Sequence, residues 1–129
     1  MFRLDLVLLT LRVALGCMML FGHGLPKLLS FSEKATTFPD PFGFGSMPSL
    51  ALAVFAEVFC AAGVVLGVMT RWAAIPIAIT MATAATIIHA NDPWGKKELA
   101  LVYLVGFLCL IVAGGGRFAL DTLRPQSTT

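Results

Sequence analysis

Four residues in the first apolar segment of the chain lie where an α-helix would place them on one side. Arg12, Gly16, His23 and Lys27 are separated by four, seven and four positions, and such spacings put side chains along one face of a helix. The intervening residues are mostly Leu, Val, Met and Phe, which suit lipid or a protein interior. Because a charge in the hydrocarbon core is costly, we expect these cationic groups to face the inside of a bundle and to have a function.

The whole chain has the composition of an integral membrane protein. Of its 129 residues, 58% are hydrophobic and only 12% are charged, whereas a soluble domain carries about 25% charged residues. The apolar residues form long blocks, and the mean hydropathy is +0.90. The basic residues are dispersed and form no stripe of the kind that binds nucleic acid, so no nucleic-acid partner is predicted.

The three cysteines, Cys17, Cys60 and Cys109, form no CxxC pair. Their positions within apolar segments indicate packing residues and argue against electron relay through paired thiols. A cleaved leader is also not predicted, because Arg12 interrupts the first apolar segment and hydrophobic sequence continues past Cys17.

Hydropathy and turn residues predict an all-α, integral membrane four-helix bundle. The helices are predicted at 4–25, 49–69, 72–90 and 98–113, with Pro26 kinking or ending the first. A loop rich in Pro, Gly and Phe, 28–48, joins the first two helices and should fold back over the bundle, whereas 91–97 is a short polar turn. One domain, 1–123, precedes a tail, 124–129, that is expected to be disordered.

Four crossings would put both termini on the same side of the membrane. The basic residues of the two sides are almost equal in number, so the positive-inside rule discriminates weakly. Arg12 and the free amino terminus favour cytoplasmic termini.

At the opposite end of the bundle, helix geometry gathers His23, Lys27, His89 and Glu98, with Glu57 nearer the midplane. Together with Arg12 these residues form the predicted polar or ligand-binding pocket. Glu57 is either a structural ion pair or protonated carboxyl, or a functional group that relays protons or contacts a quinol. Its natural counter-charge is Arg12, with His23 as the competitor, although Arg12 could instead reach the lipid headgroups.

The two histidines are compatible with several roles. His23 and His89 could be interfacial hydrogen-bonding groups, metal ligands together with Glu57 or Glu98, or the axial ligands of a haem. A quinone fits an apolar pocket with few donors better, and no metal site is assigned. Lys27 either anchors at the interface or pairs with Glu98 or Asp92.

Two further features are predicted to be structural. Asp121 could accept hydrogen bonds from Arg71 or Arg117 and so clasp the end of the bundle that holds the termini. On the second helix, a ladder of small residues would let a neighbouring helix approach closely; it consists of Ala56, Cys60, Gly63 and Gly67.

Three stretches of the sequence resemble the DoxX family of small bacterial membrane proteins. They are LRVALGCMMLFGHGLPKL, AEVFCAAGVVLGVMTRWAAI and GGGRFALD. The resemblance implies a four-helix bundle in the bacterial inner (plasma) membrane with cytoplasmic termini. The positions that carry it are Arg12, Gly16, Gly24, Lys27, Glu57, Gly63, Gly67, Arg71, Gly114, Gly116, Arg117 and Asp121.

The family is named after a subunit of a thiosulfate:quinone oxidoreductase, and some members associate with proteins of thiol and oxidative stress. The resemblance therefore implies an accessory or quinone-interacting subunit of a membrane redox system. Distant relatives imply an alternative, a membrane chaperone or scaffold that binds partner transmembrane helices. Either function needs the lipid bilayer and a protein partner or homo-oligomer. No catalytic residue is assigned, and whether the chain is an enzyme stays open.

Overall fold

A computed structural model describes residues 2–123, and within that range the chain is all-helical with no strand. The all-α prediction is confirmed. Four long helices are present, namely α1 Phe2–Leu29, α3 Ser46–Leu66, α4 Thr70–Ile88 and α5 Trp94–Ala113. Two short helices, α2 Phe31–Lys34 and α6 Leu120–Leu123, follow α1 and α5. The predicted tail, 124–129, lies outside the described residues.

Three of the long helices can cross a bilayer. α1, α3 and α4 have 28, 21 and 19 residues and are strongly apolar, and about 20 residues span the hydrocarbon core. α5 has 20 residues, but three of the first five, Lys96, Lys97 and Glu98, are charged. The prediction of a membrane protein is confirmed, whereas a fourth crossing by α5 stays a prediction.

Prolines account for the largest differences between the predicted and observed helix boundaries. α1 continues through Pro26 to Leu29 instead of ending there, because a wider π-helical turn, Leu20–Gly24, precedes the proline and relieves its clash with the preceding turn. Pro93 immediately precedes α5, so the helix begins at Trp94 and the predicted polar turn is shorter than expected. Proline is tolerated at a helix start because the N–H it lacks has no partner there.

Apolar side chains cover the outside of the bundle as well as its core. Phe107 and Ile77 are fully buried, whereas Phe59, Val105 and Val112 on the outer faces are 63%, 60% and 80% exposed. Such a surface is stable against acyl chains but not against water. The charged residues Arg12 and Glu57 are, in contrast, 1% and 2% exposed, so both face the interior of the bundle.

Small residues bring α1 and α3 into backbone contact. A Cβ atom at Gly24 would clash with the carbonyl oxygen of Glu57, so only glycine permits this approach. The predicted small-residue ladder also packs inside the molecule: Ala56 and Cys60 are buried, and Gly63 lies against Ala73 of α4. The ladder therefore serves contacts between helices of the same chain.

The segment between α2 and α3 is held by one carboxylate. Asp40 accepts hydrogen bonds from the backbone N–H groups of Phe44 (2.9 Å) and Gly45 (2.8 Å) and from the Ser49 hydroxyl (3.0 Å). These bonds, above all the one from Gly45, hold the pKa of Asp40 below its usual value. The turn is therefore fixed locally, at the entrance to α3.

Apolar residues hold the rest of this segment on the bundle. Ala35 is buried against Leu50 and Val54 of α3, and Phe31 and Phe38 pack at the edge of the same cluster. The loop thus lies over one end of the helices.

Candidate functional site

An ion pair lies inside the bundle between α1 and α3. Lys27 Nζ donates a hydrogen bond to Glu57 Oε1 at 3.2 Å and lies 3.0 Å from Oε2. It also donates to the backbone carbonyl of His23 at 3.3 Å. The Glu57 side chain is 3% exposed and that of Lys27 is 22% exposed, so the lysine links a buried carboxylate to a more open space.

That space is a cavity of about 520 Å³ beneath the loop between α2 and α3. Its volume lies within the range of sites for small molecules. Most of the surface of its wall is apolar, with polar and charged side chains interspersed. The lining residues are His23, Lys27, Phe38, Pro39, Pro41, Phe42, Phe44, Ser49, Leu52, Ala53, Glu57, Ile79, Thr80, Met81, Thr83, Ala84, Ile88, His89, Lys96, Leu99, Ala100 and Tyr103.

Each of the three membrane-capable helices has a π-helical turn that contributes to this wall. The turn Leu20–Gly24 carries His23, the turn Phe55–Cys60 carries Glu57, and the turn Ala84–Ile88 contributes both of its end residues. A π-helical turn contains one extra residue and locally changes the direction of side chains, and such turns occur frequently at functional sites.

The cavity reaches the outer surface of the helices at its side. Leu52 of α3 and Ile79 of α4 both line it, and they are 57% and 59% exposed. In a membrane-spanning bundle these exposed positions meet acyl chains. An apolar ligand could therefore enter sideways, from the bilayer.

Aromatic rings support the histidine of α1. The rings of His23 and Tyr103 meet edge to face, with centroids 5.3 Å apart and planes at 85°. Tyr103 in turn stacks on Phe107 of α5 at 6.4 Å. His23 is thus held beside the ion pair by contacts from a different helix.

At the end of α4 the second histidine is paired with a carboxylate. His89 Nδ1 lies 2.6 Å from Asp92 Oδ2. The hydrogen bond from His89 lowers the pKa of Asp92, and Lys96 contributes in the same direction. His89 and Lys96 line the cavity, so this polar cluster lies at its rim.

One oxygen of the ion pair is buried without a hydrogen bond. Glu57 Oε2 is buried and accepts no hydrogen bond of acceptable geometry from any group in residues 2–123, although Lys27 Nζ is 3.0 Å away. Buried acceptors without a hydrogen bond are costly and therefore rare.

Arg12 lies apart from the cavity. Its Nη1 donates to the carbonyl oxygens of Val64 at 3.2 Å and Val65 at 2.9 Å. These carbonyls belong to the last turn of α3, where few backbone N–H donors remain; Val64 O also accepts from the Gly67 N–H at 3.2 Å. The expected pairing of Arg12 with Glu57 is therefore wrong, because the counter-charge is Lys27. Neither of the roles predicted for Lys27, an interfacial anchor or a partner of Glu98 or Asp92, included this contact.

Glu98 is also separate, since it is exposed on the first turns of α5 and does not line the cavity. The predicted pocket residues that do line the cavity are His23, Lys27, Glu57 and His89.

Among residues 2–123, no three His, Cys, Asp or Glu side chains are grouped closely enough to hold a metal ion. The thiols of Cys17, Cys60 and Cys109 are free.

At the opposite end of the bundle, Asp121 closes the turn between α3 and α4 by a different contact from the predicted one. Its Oδ2 accepts from the Met69 N–H at 2.5 Å, and its own N–H donates to Gly67 O at 3.2 Å. Arg71 donates to Ala113 O at 3.4 Å, and the N–H of Arg117 donates to Asp5 Oδ1 at 3.1 Å. The three predicted clasp residues thus join separate segments through backbone groups.

Sequence reasoning missed Tyr103 and the loop phenylalanines as lining residues of the cavity, and Asp40 as the residue that fixes the loop above it. Tyr103 is the only tyrosine of the chain and lies in an otherwise apolar segment. A buried tyrosine usually positions its hydroxyl for a polar partner, which is the signal that could have drawn attention to it. The role of Asp40 follows only from the path of the loop.

Comparison with known proteins matches residues 7–90 to the sequence model of the family described as DoxX. An uncharacterized protein of Haemophilus influenzae is 32% identical over 118 residues, covering 86% of this chain and 85% of the relative. A second from that organism is 32% identical over 113 residues, with coverages of 80% and 74%. An uncharacterized membrane protein of Mycobacterium tuberculosis is 31% identical over 124 residues, with coverages of 78% and 76%. No solved structure matches the chain significantly.

Proposed function

This chain belongs to the DoxX family, and on that premise we propose that it is a quinone-interacting accessory subunit of a membrane redox system. The observation that carries the proposal is a mostly apolar cavity whose polar groups centre on a single buried ion pair, Lys27–Glu57. A quinone has the matching chemistry, because its ring and tail are apolar and its two oxygens need hydrogen-bond partners.

Each part of the ligand has a suitable neighbour. Lys27 and His23 can donate to a quinone oxygen, and Tyr103 can pack against the ring. In the reduced form the oxygens are hydroxyls, and one of them could donate to the carboxylate of Glu57, which lines the cavity. The tail would leave between Leu52 and Ile79, where the cavity meets the outer surface.

The redox system itself is proposed from the family resemblance. Thiosulfate, thiols or products of oxidative stress would be handled by a partner protein, and this chain would present the quinone in the membrane. We further propose the bacterial inner membrane, α5 as the fourth crossing, and cytoplasmic termini. The position of Arg12 toward the end of the bundle that holds the termini supports that orientation, and reporter fusions at the two ends of the chain would test it.

The scaffold alternative has weaker support. It relied on the ladder Ala56, Cys60, Gly63 and Gly67 as a docking face for a partner helix. Ala56 is 1% and Cys60 8% exposed, and Gly63 lies beside Ala73 of α4. Because the chain itself occupies this face, the geometry favours the cavity as the functional site.

The test is binding of a benzoquinone with a decyl tail, and of its quinol, to the full chain in lipid nanodiscs. We expect Glu57→Gln to weaken quinol binding and Lys27→Gln to weaken quinone binding, each about tenfold, the loss of one charge-assisted hydrogen bond. An absorbance spectrum of the purified protein would detect a bound haem in the same preparation.

Glu98→Gln is the matched control, because this carboxylate is exposed near the same end of the bundle but does not line the cavity. It should leave both affinities unchanged. Equal binding by the wild type and both pocket variants, or equal losses in all three variants, would remove the ion pair from the site.

A further inference from the structure

Tyr103 brings a hydroxyl group to the cavity from α5. It is the only tyrosine of the chain, and it is 6% exposed. It lines the cavity together with His23, Lys27 and Glu57, which lie on α1 and α3. The family match covers residues 7–90, so Tyr103 and the whole of α5 lie beyond the matched part of the chain.

Neighbouring rings on two sides fix the position of the Tyr103 ring. His23 of α1 meets it edge to face, with the ring centroids 5.3 Å apart. Phe107, which is fully buried, stacks on it at 6.4 Å with the planes 23° apart. The hydroxyl is therefore held in place before a ligand binds, and a preorganised group loses little entropy on binding.

The Tyr103 hydroxyl has no hydrogen-bond partner in the described part of the bundle. Among residues 2–123, the completely buried side-chain N and O atoms that lack a hydrogen bond are Arg12 Nε, Glu57 Oε2 and Thr70 Oγ1. The Tyr103 hydroxyl is not one of them, although no hydrogen bond in this range involves it, so it keeps accessible surface in an otherwise buried residue. Because Tyr103 lines the cavity, the contents of the cavity supply the partner that such a group requires.

A hydroxyl differs from the two groups of the ion pair in the hydrogen bonds that it can make. The Lys27 ammonium can only donate and the Glu57 carboxylate can only accept, whereas the Tyr103 hydroxyl can do either. A quinone carbonyl accepts, and a quinol hydroxyl can donate or accept. Lys27 and Glu57 therefore each suit one redox form of the ligand better, but Tyr103 can bond the same ring oxygen in both.

We propose that, in the quinone site proposed above and resting on it, the Tyr103 hydroxyl is the specificity-determining contact that both redox forms of the ligand share. It donates to a carbonyl oxygen of the quinone, and in the quinol it bonds the hydroxyl at the same position. This contact favours a ring that carries oxygen over a purely hydrocarbon ring, and it does not favour one redox form over the other.

The experiment compares the wild type with Tyr103→Phe, as full chains in lipid nanodiscs, in binding a benzoquinone with a decyl tail and its quinol. The substitution keeps the ring and removes only the hydroxyl. We expect both affinities to fall about fivefold, the loss of one neutral hydrogen bond, so that their ratio stays that of the wild type. Lys27→Gln and Glu57→Gln should change this ratio in opposite directions.

Infrared difference spectroscopy distinguishes a lost hydrogen bond from a disturbed pocket. A hydrogen bond lowers the stretching frequency of a carbonyl group. With a quinone that is isotopically labelled at its carbonyl carbons, one band of the bound ligand should therefore move to higher frequency in Tyr103→Phe.

Thr86→Val is the matched control, because it also removes one hydroxyl from the bundle. Thr86 is exposed, donates to Ala82 O within its own helix at 2.7 Å and does not line the cavity. It should change neither the affinities nor the carbonyl band.

The outcomes separate this contact from the quinone site itself. Absence of binding to the wild type would overturn both. Binding to the wild type with unchanged affinities or an unshifted carbonyl band in Tyr103→Phe would overturn the contact alone and leave the quinone site in place. A loss of affinity confined to one redox form would also overturn a contact that both forms share.

Discussion

Replacing Lys27 by Met would leave the carboxylate of Glu57 buried without its counter-charge. The two groups lie 3.0 Å apart at their closest, and at an effective dielectric constant of about 20 two unit charges at that separation attract by roughly 5 kcal/mol. Removing one partner of a buried pair costs about 3–5 kcal/mol. Because the Lys27 side chain is 22% exposed, we expect Lys27→Met to lower the free energy of unfolding by about 3 kcal/mol, the lower end of that range.

A double-mutant cycle separates this effect from lost packing. Glu57→Gln alone should cost about 1–2 kcal/mol, because Lys27 can turn toward the cavity and keep some solvation. The double variant removes both charges and should lie within about 1 kcal/mol of the wild type, since neutral replacements of a buried pair are often tolerated. The cycle should therefore give a coupling energy of about 3 kcal/mol or more.

The measurement is reversible unfolding of the purified protein by SDS titration, followed by far-ultraviolet circular dichroism. Lys34→Met is the matched control, because Lys34 is exposed on α2, and it should change stability by less than about 0.5 kcal/mol. Equal effects of Lys27→Met and Lys34→Met, or additive effects of the two pair substitutions, would refute the assignment of a buried, interacting pair.

Three further outcomes are expected. Arg12→Met removes the donor to Val64 O and Val65 O and should destabilise the protein by about 2–3 kcal/mol in the same titration; a change no larger than that of the exposed Arg3→Met would contradict this role. Gly24→Ala should cost about 1–3 kcal/mol, because its Cβ meets the Glu57 carbonyl oxygen, whereas Gly22→Ala, with open space around it, should be neutral or slightly stabilising. Acid should loosen the loop between α2 and α3: hydrogen bonds from Gly45, Ser49 and Phe44 lower the folded-state pKa of Asp40, so the stabilisation is complete above the unfolded value of about 3.9 and is lost as the pH falls through the lower folded value. Hydrogen exchange of the Phe44 and Gly45 amides, relative to their intrinsic rates, should therefore accelerate below about pH 4, and in Asp40→Ala it should be fast at every pH.

The fold was predictable from the sequence because long apolar segments separated by Pro, Gly and charged residues leave few alternatives in a membrane. Helix ends were less predictable. Pro26 and Pro93 each permit more than one local outcome, and a neighbouring π-helical turn or a helix start decides between them. The inward orientation of Arg12 and Glu57 followed from the cost of charge in lipid.

The partner of Glu57 was not predictable, because it depends on the π-helical turns in α1 and α3. Simple α-helical arithmetic fixes the height of a side chain but not its direction after an extra residue has been inserted in the turn. The position of the loop between α2 and α3 over the cavity was not predictable either. It depends on the hydrogen bonds of Asp40 and the packing of Phe38, and neither has a periodic signal in the sequence.

The side opening at Leu52 and Ile79 has a consequence for how affinity must be expressed. A hydrophobic compound that reaches the protein through this opening is already dissolved in the bilayer, where partitioning concentrates it far above its level in water. Occupancy is then set by moles of compound per mole of lipid. Adding more vesicles at a fixed total amount of compound dilutes it in the bilayer and empties the protein, although the total concentration of the compound in the sample has not changed.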